Sequence, residues 1–278
     1  MQTLKLLVAY DGTSFVGWQR QAEGISVQGL LERALEPLEG APVAVAGAGR
    51  TDAGVHAIGQ VASLRLRSRL QAPELGRALN AHLPSDVRVL AVEPAADGFH
   101  ARFHARSKTY EYRIFNGPLV SPFSHRYVWH VAARLDLDRM AEAARLMEGQ
   151  HDFACFQSTG GAARTTVRRV FRSDVSAREA DGPVDAGGVT ASFVPEPRLS
   201  DGRLIVYRVT GDGFLRHMVR AAVGTLVEIG RGAADVGLIP ALLAGGTRDA
   251  AGPTAPARGL CLSAVSYADG PAEVATQR

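Results

Sequence analysis

Between Val43 and Val61 the chain reads VAVAGAGRTDAGVHAIGQV, which dictates a strand, a tight turn and a second strand. Apolar residues alternate from Val43 to Ala46, the pattern of a strand entering the interior. Gly47, Gly49 and Gly54 follow before apolar residues resume. Glycine tolerates positive φ and close backbone approach, so the span between the strands is sharp and crowded. Arg50 and Asp52 fall at its tip. A lone acid presented at a strand end is where active sites are built. Asp also favours turns by bonding its own backbone, so local chemistry leaves Asp52 open between nucleophile and turn former. The Gly47-Ala48-Gly49 pattern does not extend to a dinucleotide fingerprint. Its third glycine would fall at Asp52, whose carboxylate would repel a pyrophosphate. A GxxxxGK[ST] phosphate loop is also absent from the sequence.

The remaining periodicities supply the elements around this turn. Leu4–Tyr10 is an apolar run ending at Asp11-Gly12, a strand into a turn. Ser26 caps a predicted helix whose apolar positions are Val27, Leu30, Leu31, Ala34, Leu35 and Leu38. Gln60–Leu66 alternates as the partner strand, Pro73–Leu83 reads as a short helix and Val87–Val92 as a strand. Lys108–Phe115 alternates with Lys108, Tyr110, Tyr112 and Ile114 on one face. Asp138–Glu148 reads as a helix and His151-Asp152 as its exit turn. Arg178–Gly202, rich in Gly, Pro and Asp, predicts a long exposed hairpin loop. Leu204–Val209 is a strand, Phe214–Ile229 and Asp235–Leu243 are helices, Leu260–Tyr267 is a closing strand, and the tail beyond is loose. This order predicts an α+β chain of two related halves, 1–105 and 106–278, with mostly antiparallel sheets.

Charge matters here through its clustering. The formal net charge is only +3; Lys5 and Lys108 are the sole lysines, against 29 arginines. The arginine fork grips phosphates, but GC-rich coding gives the same bias. Two clusters go further. Phe99–Arg113 sets Arg102, Arg106, Lys108 and Arg113 against Glu111 alone, interleaved with two histidines, two phenylalanines and two tyrosines. Arg164–Arg172 holds four arginines and no acid. Clusters of this kind point to a polyanion. Two cysteines, Cys155 and Cys261, and no HExxH give no metal-site spacing. No run approaches the ~18 apolar residues of a membrane helix, and the first residues lack a signal-peptide pattern, so a cytoplasmic protein is expected.

Taken together, these residues resemble a known family. GRTDAGVH, from Gly49 to His56, is similar to the catalytic signature of the tRNA pseudouridine synthases of the TruA type. Tyr10-Asp11-Gly12-Thr13 with Phe15, Gly17, Trp18 and Gln19 resembles the family's opening strand and loop. Phe99-His100-Ala101-Arg102-Phe103 resembles its tRNA-contacting segment, Lys108-Thr109-Tyr110-Glu111-Tyr112 the strand with its active-site tyrosine, and Phe214-Leu215-Arg216-His217-Met218-Val219-Arg220 its late arginine helix. The matches occur in family order from residue 4 to about residue 267.

The resemblance implies isomerisation of uridine to pseudouridine at positions 38, 39 and 40 of the tRNA anticodon stem-loop. It implies no metal or organic cofactor, a homodimer, and two halves joined into one extended sheet with helices packed on it. It casts Asp52 as nucleophile, Arg220 as its positive partner and Tyr110 as the residue that stacks on uracil and helps move the C5 proton. The helical wheel alone does not separate Arg220 from Arg216. Arg50 takes the place of the flipped base, and Phe99, His100, Ala101, Arg102, Phe103, Arg164 and Arg168 hold the tRNA. His56 reads as bonded within the turn. The rival readings are a tRNA-binding protein without catalysis and a glycosylase that releases uracil.

Overall fold

In a computed structural model, residues 1–67, 70–160, 164–179 and 202–267 are described. The first strand, β1 (Gln2–Tyr10), alternates buried and half-buried positions as its apolar run predicts. A tight loop leads to α1 (Val27–Glu39), where Ser26 accepts the Gly29 N–H and Val27, Leu31, Ala34 and Leu35 are buried. A two-residue strand, β2 (Ala46–Gly47), precedes the turn, and β3 (His56–Leu66) follows it. Then come α2 (Ala72–His82), with Pro73 in its first turn, and β4 (Val87–Pro94). β1 is flanked by antiparallel β3, with Leu4 opposite Leu64, and antiparallel β4, with Leu6 opposite Val92. Asn80 fixes α2 to this sheet by exchanging two hydrogen bonds with the Val89 backbone (2.8 and 2.9 Å).

The strand expected over Val43–Ala46 is mostly not one. Val43 and Val45 are buried as the alternation requires, but only Ala46 and Gly47 join the ladder. The Val45 N–H is taken by Glu32 Oε1 (3.3 Å) and its carbonyl by Gln28 Nε2 (3.0 Å), both on α1. Side chains of the helix satisfy the backbone that a neighbouring strand would otherwise bond.

The second unit begins within β5 (Ala105–Asn116), at Thr109. A short parallel strand, β6 (Trp129–Val131), lies beside the end of β5, and α3 (Leu137–Arg145) buries Met140, Ala143 and Ala144. Next come β7 (Gly149–Asp152), β8 (Val167–Glu179) and β9 (Arg203–Gly211). Within this unit the strand order is β5-β9-β8-β7, with β9-β8 and β8-β7 antiparallel. His151 and Asp152 therefore belong to an edge strand rather than to a helix-exit turn. Most of the expected 178–202 loop, residues 180–201, lies outside the described residues. Its flanks form a hairpin, with Glu179 opposite Arg203. The loose tail expected after Tyr267 also lies outside the described residues.

α4 (Met218–Gly230) and α5 (Leu238–Leu243) follow. α4 is buried nearly all round, as befits a helix at the centre of a core. It begins four residues later than the expected start at Phe214, because His217 adopts the left-handed conformation (φ 61°) and breaks the helical run. A last strand, β10 (Leu260–Tyr267), joins the first unit from Cys261 onward, where it pairs parallel with β3, Cys261 opposite His56.

Candidate active site

In the first unit the loop after β1 is built to hold the Asp52 turn. Gly17 sits at φ +107°, where a side chain would be strained, and a Cβ there would lie 2.5 Å from the Thr51 carbonyl oxygen. A Cβ at Gly12 would lie 2.0 Å from the Val55 oxygen, so loop and turn touch backbone to backbone. The Trp18 N–H donates to the Thr51 carbonyl (3.1 Å), and the Gly54 N–H to the Phe15 carbonyl (3.3 Å). Trp18 itself is buried against Gly47, where a Cβ would enter its indole. Thus residues 10–18, far in sequence from the turn, determine its shape.

His56 secures the same junction. It is buried, and the Gly12 N–H donates to its Nδ1 (3.0 Å). A nitrogen that accepts this bond has no proton to give Asp11 Oδ1, which stands 3.1 Å away. The Asp11 contact is therefore a neighbour of the bond and not an ion pair. His56 is bonded at the base of the turn, as its sequence reading has it.

On this mount Asp52 is half-buried and Arg50 exposed. Arg50 forms no ion pair with Asp52 and no other hydrogen bond among the described residues. Its guanidinium remains available to a partner from outside. Beside the turn, Ala48 shares a small apolar cluster with Val61 and Ala101, and Phe99 and Tyr267 pack against it. This joins the Phe99–Phe103 segment to the turn. Ala101 is wholly buried; its N–H donates to Ser63 Oγ (3.0 Å) and its carbonyl accepts from the Tyr267 hydroxyl (2.7 Å). Ala101 thus anchors the segment from within the fold. Around it Phe103 is 74% exposed, with His100 tilted against its ring (4.3 Å) and Arg102 above it (5.9 Å). An exposed aromatic ring between two cationic or polarisable groups is a stacking surface for bases.

In the second unit the segment between β9 and α4 is the hub. Tyr110, buried on β5, meets the Phe214 ring edge-on (5.2 Å, 87°). The Arg168 guanidinium lies beside Gly213, within 3.5 Å of where a Cβ would stand. Arg216 is exposed and donates to the Thr159 carbonyl (3.0 Å), and His217 Nδ1 contacts Ser158 Oγ (2.8 Å). Arg216 thus precedes the helix, whereas Arg220 is on it and half-buried. The late helix start separates two arginines that the wheel could not.

Arg220 is held in place from the 252–256 segment. Its Nε donates to the Ala255 carbonyl (2.7 Å), and its own carbonyl accepts the Ala255 N–H (3.0 Å). Tyr112 donates to the neighbouring Pro256 carbonyl (2.7 Å). Burial pushes its phenol well above the ordinary value, and the nearby Arg220 and Arg258 charges only partly offset this. Tyr112 therefore stays protonated and structural. Arg164 is exposed, while Arg168 spends one terminal nitrogen on the Thr165 and Val167 carbonyls (2.9 and 2.6 Å). Sequence reasoning missed Phe214 as the ring behind Tyr110 and missed the buried polar residues behind Asp52. Phe214 and Tyr10 carry no local signal, since the ring of Tyr110 and the hydroxyl of Thr51 that they meet are each more than forty positions away. Among the described residues no group of three His, Cys, Asp or Glu side chains could hold a metal ion. No described helix is long and apolar enough to cross a membrane.

A family model described as tRNA pseudouridine synthase matches residues 6–104 and 143–268. The chain is 45% identical over 268 residues to the tRNA pseudouridine synthase A of Syntrophotalea carbinolica, covering 96% of this chain and 97% of that protein. It is 43% identical over 269 residues to the protein of that name from Moorella thermoacetica, covering 96% and 100%. The Geotalea uraniireducens protein of that name is 40% identical over 267 residues, again covering 96% and 100%.

Proposed function

Because this chain belongs to the tRNA pseudouridine synthase family, we propose that it isomerises uridine in tRNA with Asp52 as the nucleophile, acting at positions 38, 39 and 40 of the anticodon stem-loop. The observation that carries this reading is the mounting of Asp52. A half-buried carboxylate stands on a turn fixed from both sides, next to an exposed arginine with no partner among the described residues.

The reaction breaks the bond between uracil N1 and ribose C1′ and makes one between C5 and C1′. A proton leaves C5 and one is gained at N1, so atoms balance without an external reagent. A carboxylate nucleophile divides the exchange into two easier steps. Arg220 serves as the positive partner of this carboxylate. The Tyr110 ring stacks on the detached uracil, and its hydroxyl assists the C5 proton. The target base must leave its helix, which costs a few kcal/mol of unstacking, and Arg50 offsets part of that by filling the gap. Phe99, His100, Arg102 and Phe103, with Arg164 and Arg168, grip the tRNA through stacking and phosphate contacts, which position rather than specify. The enzyme acts as a homodimer in the cytoplasm, where its substrate is made.

Asp52→Asn tests the assignment. The variant should form no pseudouridine on a tRNA transcript with uridine at 38, 39 or 40, while its tRNA affinity changes by less than about 1 kcal/mol. Substantial turnover would remove Asp52 from the mechanism. Release of free uracil by the unmodified enzyme would instead indicate a glycosylase.

A further inference from the structure

Behind the Asp52 turn lies a buried polar network that the reaction as written does not use. Tyr10, Thr51 and Gln60 are 4%, 6% and 0% exposed. The Tyr10 hydroxyl and Thr51 Oγ1 are 2.8 Å apart. Gln60 Nε2 donates to the Gly49 carbonyl (2.9 Å) and lies 3.4 Å from the Tyr10 oxygen. The Thr51 carbonyl is taken by the Trp18 N–H. The register of β1 on β3 slips by one residue between Val8, opposite Gln60, and Tyr10, opposite Ala57. An irregularity of this kind re-aims side chains and is common beside active sites.

The direction of the bonds follows from what each atom can do. The Gln60 amide nitrogen only donates, and it serves Gly49 and Tyr10. Among the described residues Thr51 Oγ1 is the one acceptor found for the Tyr10 proton, so donation runs from Gln60 through Tyr10 to Thr51. The chain of bonds ends on Gly49 and Thr51, the two residues flanking Arg50.

We propose that Tyr10 and Gln60 are positioning residues for the nucleophile, clamping Gly49 and Thr51 so that the Arg50–Asp52 tip has its reactive geometry before tRNA binds. The inference rests on the reading of Asp52 as nucleophile. Two features separate it from a purely structural role. Gln60 Oε1 is buried with no hydrogen-bond partner among the described residues, so this network is not the arrangement that stability alone would favour. The segment it clamps is rich in glycine and would otherwise sample many conformations.

The test uses the full chain with Tyr10→Phe, Gln60→Met, Thr51→Val and Thr51→Ser, beside Asp52→Asn. Single-turnover pseudouridine formation, tRNA affinity and thermal midpoint are measured for each. Tyr10→Phe, Gln60→Met and Thr51→Val should lower the single-turnover rate roughly 10- to 100-fold, as small misplacements of a reacting group do. Their tRNA Kd should stay within about two-fold of the parent, the scale of a change away from the binding surface. Thr51→Ser keeps the hydroxyl and should restore most of the rate. Gln60→Met, which removes the orphan oxygen, guards against a loss that merely reflects unfolding: it should be slow while folded. Parental rates in the Phe, Met and Val variants, with Asp52→Asn inactive, overturn the positioning role and leave the nucleophile in place. Rates that fall only in step with the folded fraction overturn it too. Turnover by Asp52→Asn removes the nucleophile reading, and this inference with it.

Discussion

At the scale of single residues, Arg220 shows how anchoring and charge divide within one side chain. Its Nε is committed to the Ala255 carbonyl, which fixes the plane of the guanidinium. Lysine offers one compact ammonium and cannot hold the anchor and grip an anion in the same geometry. Arg220→Lys should therefore lower the single-turnover rate by roughly 10- to 100-fold, the loss of a charge-assisted hydrogen bond worth ~1.5–3 kcal/mol. Arg216→Lys should leave that rate within about two-fold, because Arg216 is exposed and precedes the helix. Measured at saturating tRNA, equal losses in the two variants would reassign the role. The residues themselves were named from family resemblance. Their local chemistry left Asp52 a possible turn former and Tyr110 a plain strand aromatic, since what distinguishes them is the company the fold gives them.

At the scale of elements, the fixed position of α4 depends on a glycine. A Cβ at Gly224 would stand 1.7 Å from the Pro253 carbonyl oxygen, and the Gly252 N–H bonds Thr225 Oγ1 (2.9 Å) on the same helix turn. The 252–256 segment that orients Arg220 is thus pressed directly onto helix backbone. Gly224→Ala should lower stability by about 1–3 kcal/mol through overpacking and, by moving Ala255, slow turnover as well. Denaturant midpoints and single-turnover rates would show both losses; a full rate in a destabilised variant would mean that the segment does not set Arg220. Elements with strong local periods were legible in the sequence. α1 with its Ser26 cap and β10 over Leu260–Tyr267 lie where the pattern puts them. Two of the elements misread in the sequence share one reason. Alternation over Val43–Ala46 reports burial but not what bonds the backbone, and here Gln28 and Glu32 of α1 replace a strand partner. The apolar period after Phe214 continues through His217, but a left-handed residue tied to Ser158, a distant loop, delays the helix. Local pattern gives the face a residue shows, while the partner of its backbone is a tertiary fact.

At the scale of the whole molecule, buried phenols limit the alkaline range. Tyr10 and Tyr267 in the first unit and Tyr112 and Tyr207 in the second are all pushed above the ordinary tyrosine value, chiefly by loss of water around the phenol. Burial raises the Cys155 thiol from 9.0 to about 11. In each case the folded chain keeps a proton that the unfolded chain has given up. The unfolded state binds fewer protons once pH exceeds the ordinary values of 9.0 for the thiol and 10.0 for the phenols, so stability falls with rising pH. The stabilisation is complete below about pH 9 and is lost as pH climbs toward the raised folded values. Two phenols lie in each unit, so neither is exempt. Of the six tyrosines, these four should ionise together in a cooperative step that coincides with loss of the far-ultraviolet circular dichroism signal. A titration of tyrosinate absorbance from about pH 8 to about pH 12, read beside circular dichroism, checks this. A gradual ionisation of all six near the ordinary value with the helical signal intact would show that burial does not hold these protons. A cooperative step would show that the fold holds these four protons, that of Tyr10 among them, above the ordinary tyrosine range.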